Sequence, residues 1–150
     1  MEAATLNLQI LTLIVAAIGP LLAYHYARKL AVSGNRQAWI DALREDVAHF
    51  IALKDNRITL LQDLAHSGDV ERRSAMTSAL TDRTVELQAA RHRIKLRLRT
   101  GNARHDRLTA AIEAMAEADD QADRSALRAE IVEAAKEVIT YTWEKVERGE

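Results

Sequence analysis

Seven cations crowd one stretch of this 150-residue chain: Arg91, Arg93, Lys95, Arg97, Arg99, Arg104 and Arg107. Clustered lysine and arginine attract anions. Two anionic surfaces fit: a lipid leaflet, at about 1 kcal/mol for each residue near it, or a nucleic-acid backbone. No aromatic ring interleaves the stretch to stack a base, and the whole chain carries net charge −1. Nucleic acid is therefore not favoured. The simpler alternative is a solvated helix end, where basic residues suit the dipole. Other chemistry lacks its signatures. The five histidines, at 25, 49, 66, 92 and 105, form no HExxH or other close ligand pair, and cysteine is absent. No metal site and no cofactor are expected. Neither GxxxxGK[ST], GxGxxG nor GxSxG occurs, which leaves nucleotide cradling and a hydrolase elbow unsupported. Asp119, Asp120 and Asp123 fall at an expected helix start, where carboxylates suit the dipole. The chain is expected not to be an enzyme.

The elements that must carry these residues read as all-α. Proline is absent after Pro20, and glycine then occurs only at 34, 68, 101 and 149, where helix boundaries are expected. Apolar residues at three- and four-residue steps predict four amphipathic helices. The first, from Asn35 to His66, buries Ile40, Leu43, Val47, Phe50, Leu53 or Lys54, Arg57 or Ile58, Leu61 and Leu64. The second runs from Asp69 to about Arg99 with Met76, Leu80, Leu87, Ile94 and Leu98. A short third, from about Arg104 to Ala118, presents Leu108, Ile112 and Met115. The last carries Leu127, Ile131, Ala134 or Ala135, Val138, Ile139, Trp143 and Val146. Short loops between them predict an up-and-down bundle. Arg91 to Arg99 alternates charge and apolarity as a strand does, yet its residues are helix formers, and it is read as helix.

Ahead of this lies an uncharged run from Leu6 to Tyr26, followed by Arg28 and Lys29. At about 1.5 Å per residue it spans roughly 30 Å, so it reads as an N-terminal transmembrane helix. A signal peptide is the competing reading, but basic residues follow the run rather than precede it. The sequence reading is thus a transmembrane segment over residues 1–30 and a cytoplasmic four-helix bundle over 31–150. The lysine and arginine count places the N-terminus outside. Thr5, Gln9, Thr12, Ala16, Gly19 and Ala23 share one helical face, small and polar, suited to self-association in a bilayer. Up-and-down topology would bring the basic stretch, with Trp39 and Trp143, to the membrane end. The expected partners are a lipid bilayer, further copies of the chain as a homo-oligomer, and an unidentified cytoplasmic protein.

Two segments carry a resemblance. Arg36-Gln37-Ala38-Trp39-Ile40-Asp41-Ala42-Leu43-Arg44, and Ile94-Lys95-Leu96-Arg97-Leu98 with His105 and Leu108 downstream, resemble a group of bacterial single-pass membrane proteins with helical, HEPN-like cytoplasmic domains. The plan is similar to the membrane accessory protein of type VI-B CRISPR loci. The chain departs from the group at Arg99-Thr100, where members carry Asn-Pro. The resemblance implies an inner-membrane location, oligomeric assembly and a pore supporting anti-phage defence. It also draws attention to Arg44 and His49, an Arg-x4-His pair with the spacing of many HEPN ribonuclease sites, which need two subunits. With 16 arginines and five histidines, such a pair arises by chance about half the time. The leading expectation is a non-enzymatic, oligomeric inner-membrane protein of pore-forming type. The alternatives are a membrane-tethered adaptor and a membrane-held ribonuclease.

Overall fold

Long stretches without proline and rich in alanine, leucine, arginine and glutamate leave little choice of secondary structure, and the chain is helical almost throughout. The computed structural model describes the backbone of residues 2–118 and 124–148, and the side chains of these apart from 2–22, 25, 29 and 146. Four α-helices follow one another: α1 (Glu2–His66), α2 (Val70–Arg97), α3 (Ala103–Glu117) and α4 (Arg124–Arg148). The short connections carry the signals that end and restart helices. The Asp69 carboxylate accepts the Glu71 N–H at 3.0 Å and caps α2, and the Asn102 side chain accepts the Arg104 N–H at 3.1 Å and caps α3. Gly101 takes φ +80° between them, a conformation in which a side chain would be strained.

One expectation is corrected here. Among the described residues no helix is long and apolar enough to cross a membrane. A separate transmembrane helix over 1–30 is not present as an element either, because α1 runs unbroken through residues 30 and 31. The all-α bundle stands, with four helices among the described residues rather than an anchor followed by four. Gly34 is the weakest helix former between Tyr26 and Trp39. It costs about 1 kcal/mol in a helix interior, too little to interrupt one. The single-pass, N-outside orientation loses its basis with that span. Thr5, Gln9, Thr12, Ala16 and Gly19 have side chains outside the described residues, and Ala23, the last of that face, is exposed.

The core gathers one stripe from each helix. Ile40, Leu43, Val47, Phe50, Leu53 and Ile58 of α1 are buried, as are Leu87, Ala90 and Ile94 of α2. Leu108, Ala111, Ile112 and Met115 come from α3, and Ile131, Ala134, Ala135 and Val138 from α4. α1 packs along α2, α3 along α4, and α4 closes against α1, the neighbour order of an up-and-down bundle. Unequal lengths leave the two ends different. α3 stops at Glu117 and α4 begins at Arg124, about three turns short of the C-terminal end of α1, where Arg128 Nη2 meets Asp55 Oδ2 at 2.5 Å. Beyond that level α1 and α2 continue as a two-helix hairpin. Leu61, Leu64, Met76 and Leu80, expected in the core, are there only half-buried.

Candidate functional site

The seven cations of the basic stretch are spread over α2, the α2–α3 turn and α3, and their spacing on a helix points them in different directions. Arg93 Nε and Arg97 Nε, one turn apart on α2, both donate to the Asp46 carboxylate of α1, at 3.0 and 2.6 Å. Asp46 is buried, 7% exposed. Burial works to raise its pKa, but the bonds and charges of Arg97 and Arg93 outweigh that and hold the carboxyl below 3.8. Arg91 and Lys95, on another side of α2, both pair with Glu113 of α3, Lys95 at 3.0 Å. Arg107 of α3 bonds Glu130 at 2.9 Å and also Glu137, both on α4. These acceptors raise its pKa further. Arg104 lies 4.5 Å from the centre of the Tyr141 ring on α4, which Lys145 also approaches at 4.8 Å, a cation–π arrangement. Six of the seven residues thus tie one helix to another. The basic stretch expected to face a membrane is an interhelical ladder, and Arg99, exposed, is the member whose side chain makes no such tie among the described residues.

The two sequence segments that carried the resemblance meet at one corner of the bundle. Trp39, from the first, stacks on His105, from the second, with ring centroids 6.1 Å apart and planes 18° from parallel. The His105 ring is buried. Its Nδ1 accepts the backbone N–H of Arg99 at 2.9 Å, which satisfies a donor left free where α2 ends. That bond requires Nδ1 to be unprotonated, so the neutral ring carries its proton on Nε2. Burial lowers the pKa below 6.5; Asp106 works to raise it and Arg99 lowers it again. Arg36, three residues before Trp39 on α1, has its Nη1 buried without a hydrogen-bond partner among the described residues. Trp143 of α4 is half-buried.

Arg44 and His49 do not form a site within one chain. Five residues along a helix rotate by about 140°, and Arg44 instead bonds Asp41 at 3.2 Å on the exposed face. His49 is exposed. The acidic cluster Asp119, Asp120 and Asp123 lies outside the described residues. No group of histidine, cysteine, aspartate or glutamate among the described residues could hold a metal ion. Two of the hollows among the described residues lie on the bundle surface. One, of about 270 Å³, lies over α4 beside Arg104 and Tyr141. The other, of about 220 Å³, is flanked by Lys54, Arg57, Thr84 and Gln88 beside the end of α3.

Two buried charged side chains hold the fold: Lys54, which the stripe of α1 offered as an alternative to Leu53, and Asp46, which sequence reasoning missed. Lys54 is only 2% exposed, and its Nζ donates to the Ala118 and Ala116 carbonyls at 3.0 and 3.4 Å. It caps the C-terminus of α3 from the side, where a cation is favoured by the dipole. The signal was available: Lys54 falls four residues from both Phe50 and Ile58, on the apolar stripe of α1. Asp46 carried the same signal, adjoining Val47 on that stripe opposite the most basic helix. No protein-family model, curated protein or solved structure matches the chain.

Proposed function

We propose that this protein is a non-enzymatic assembly module, in which the four-helix bundle is a rigid head and the N-terminal half of α1 is the arm through which copies of the chain associate. The observation that carries this reading is the state of that arm. α1 has 65 residues, about 97 Å of helix, against 28 residues, about 42 Å, in α2. Every described side chain from Ala23 to Asn35 is exposed. Tyr24, Tyr26 and Leu30 are 68%, 67% and 73% exposed. Residues 3–27 contain no Asp, Glu, Lys or Arg at all. A helix uncharged around its whole circumference needs apolar cover on its faces, and the described side chains of the arm, from Ala23 to Asn35, receive none from this bundle. A second copy offers an identical arm of equal length.

The ion pairs support the non-enzymatic part of the reading. Asp46, Glu113, Glu130 and Glu137, with the arginines and the lysine of the basic stretch that they pair with, are engaged in holding α1, α2, α3 and α4 together. The pore expected from the sequence rested on a membrane-crossing helix and is dropped with it.

The test uses the absence of cysteine. Leu30→Cys on the arm and Val85→Cys, 65% exposed on α2, each give a chain with a single thiol. In the full-length protein in mild detergent, mild oxidation should link Leu30→Cys into covalent dimers and leave Val85→Cys monomeric. Light scattering should give the mass of at least two chains. A one-chain mass, or cross-linking through Val85→Cys alone, would refute the arm as the assembly surface.

A further inference from the structure

We propose that the α2–α3 corner is a pH-sensitive latch, in which protonation of His105 breaks its bond to Arg99 and releases the Trp39 stack. The geometry makes the ring's charge state and the corner's conformation one variable. Nδ1 can accept the Arg99 N–H only while it lacks a proton. Once it gains one, two donors face each other across 2.9 Å and the contact must open. The bond it loses matters because it ties the backbone at Arg99, two residues past the end of α2, to the first turn of α3, across the Thr100–Gly101–Asn102 turn. The same ring is the surface on which Trp39 of α1 rests, so one proton acts on three helices.

The surroundings favour the neutral ring. His105 is buried, which disfavours a charge, and it lies in the first turn of α3, where the helix dipole repels a cation. The charged groups around it come from each neighbouring element. Arg99 at the end of α2 opposes protonation, and Asp106 on α3 favours it. α1 contributes Trp39, with Arg36 as the cation one turn before it. Arg104 of α3 is turned to Tyr141 of α4, which it shares with Lys145. The latch is therefore closed above the ordinary histidine value of 6.5 and opens at a lower pH. Because the folded-state pKa is depressed, the associated stability is complete above 6.5. It is lost progressively as the pH falls from there through the folded value.

Trp143→Phe leaves Trp39 as the only tryptophan of the full-length chain, and its emission reports the stack. Titrated from pH 8 to pH 4, it should show one transition with a midpoint below 6.5, while far-ultraviolet circular dichroism stays helical. Adding His105→Asn, whose side-chain oxygen can still accept the Arg99 N–H but does not titrate, should abolish the transition. Persistence of the transition in that double variant would overturn the proposal, as would its absence in the His105 protein. Hydrogen exchange of the Arg99 amide in the unmodified chain gives a readout free of substitutions. Corrected for the intrinsic pH dependence of exchange, its protection should fall through the same midpoint, and unchanged protection would also overturn the latch.

Discussion

Replacing Asp46 with alanine isolates the interhelical ladder's most buried acid. The carboxylate is 7% exposed and takes one hydrogen bond from each of Arg93 and Arg97. A hydrogen bond to a charged group contributes about 1.5–3 kcal/mol, but the two share one acceptor and do not add fully. The arginines are 47% and 33% exposed on their side chains, so water recovers part of what they lose. The net expected cost is about 2–3 kcal/mol, and at 2–4 °C per kcal/mol for a chain of this size it lowers Tm by about 4–12 °C. Asp41→Ala is the control. Its pair with Arg44 lies within α1, with both side chains more than half exposed, and contributes about 0–0.5 kcal/mol. Urea unfolding followed by circular dichroism at pH 7 compares them. The pH dependence supplies a second check. A carboxyl held below 3.8 contributes stability that is full above that value and is lost as the pH falls through the folded pKa. The gap between the unmodified chain and Asp46→Ala should thus close in acid. A cost at pH 7 no greater than that of Asp41→Ala, or a gap that widens in acid, would refute the claim that Asp46 holds α1 to α2.

Four further outcomes follow from the same geometry. Phe50→Ala, at a site with no exposed surface, should cost about 3–5 kcal/mol in the same urea assay. Lys54→Met keeps the apolar stem but leaves the Ala116 and Ala118 carbonyls without their ammonium donor. It should cost about 1–3 kcal/mol, and faster amide exchange at the end of α3 should accompany it. Gly101→Ala should cost about 1–2 kcal/mol because of its φ of +80°, although no atom lies within 4 Å of the added carbon; Gly101→Asn should cost less. Single-stranded RNA incubated with the full-length chain should remain intact, and cleavage lost in His49→Ala would revive the ribonuclease alternative.

Core stripes were legible because helical periodicity is a local property. Ile40, Leu43, Val47 and Phe50, or Leu108, Ile112 and Met115, are read from spacing alone, and all are buried. The caps at Asp69 and Asn102 were legible for the same reason, since capping involves residues two or three apart. Length mismatch between helices was not. Leu61 and Met76 satisfy the stripe pattern, but nothing in their own neighbourhood says that α3 and α4 fail to reach them. The run before Arg28 posed a different problem. Its hydropathy gave a length, and the expected boundary at residue 30 came from that length, whereas α1 runs on through Ser33, Gly34 and Asn35, because one interior glycine costs too little to stop a helix.

The interhelical role of these charges was not legible for a reason that applies beyond this chain. Counting cations along a segment treats them as one patch, yet on α2 successive arginines at 91, 93, 95 and 97 turn by about 200° at each two-residue step. Arg93 and Arg97 consequently point to α1, while Arg91 and Lys95 point to α3. The strand-like alternation of Arg91 to Arg99 is the imprint of a helix with different acids on two sides and Ile94 buried between them. The meeting of Trp39 with His105 fits the same logic. Residues 66 positions apart hold one corner through stacking and one hydrogen bond. The two familiar-looking segments are therefore two halves of one interhelical contact, and a residue swapped in one half should be sensitive to its mate in the other. A double-mutant cycle on Trp39→Leu and His105→Asn should show coupling of about 0.5–1.5 kcal/mol. Strict additivity would mean that the stack contributes nothing and that each residue serves the fold separately.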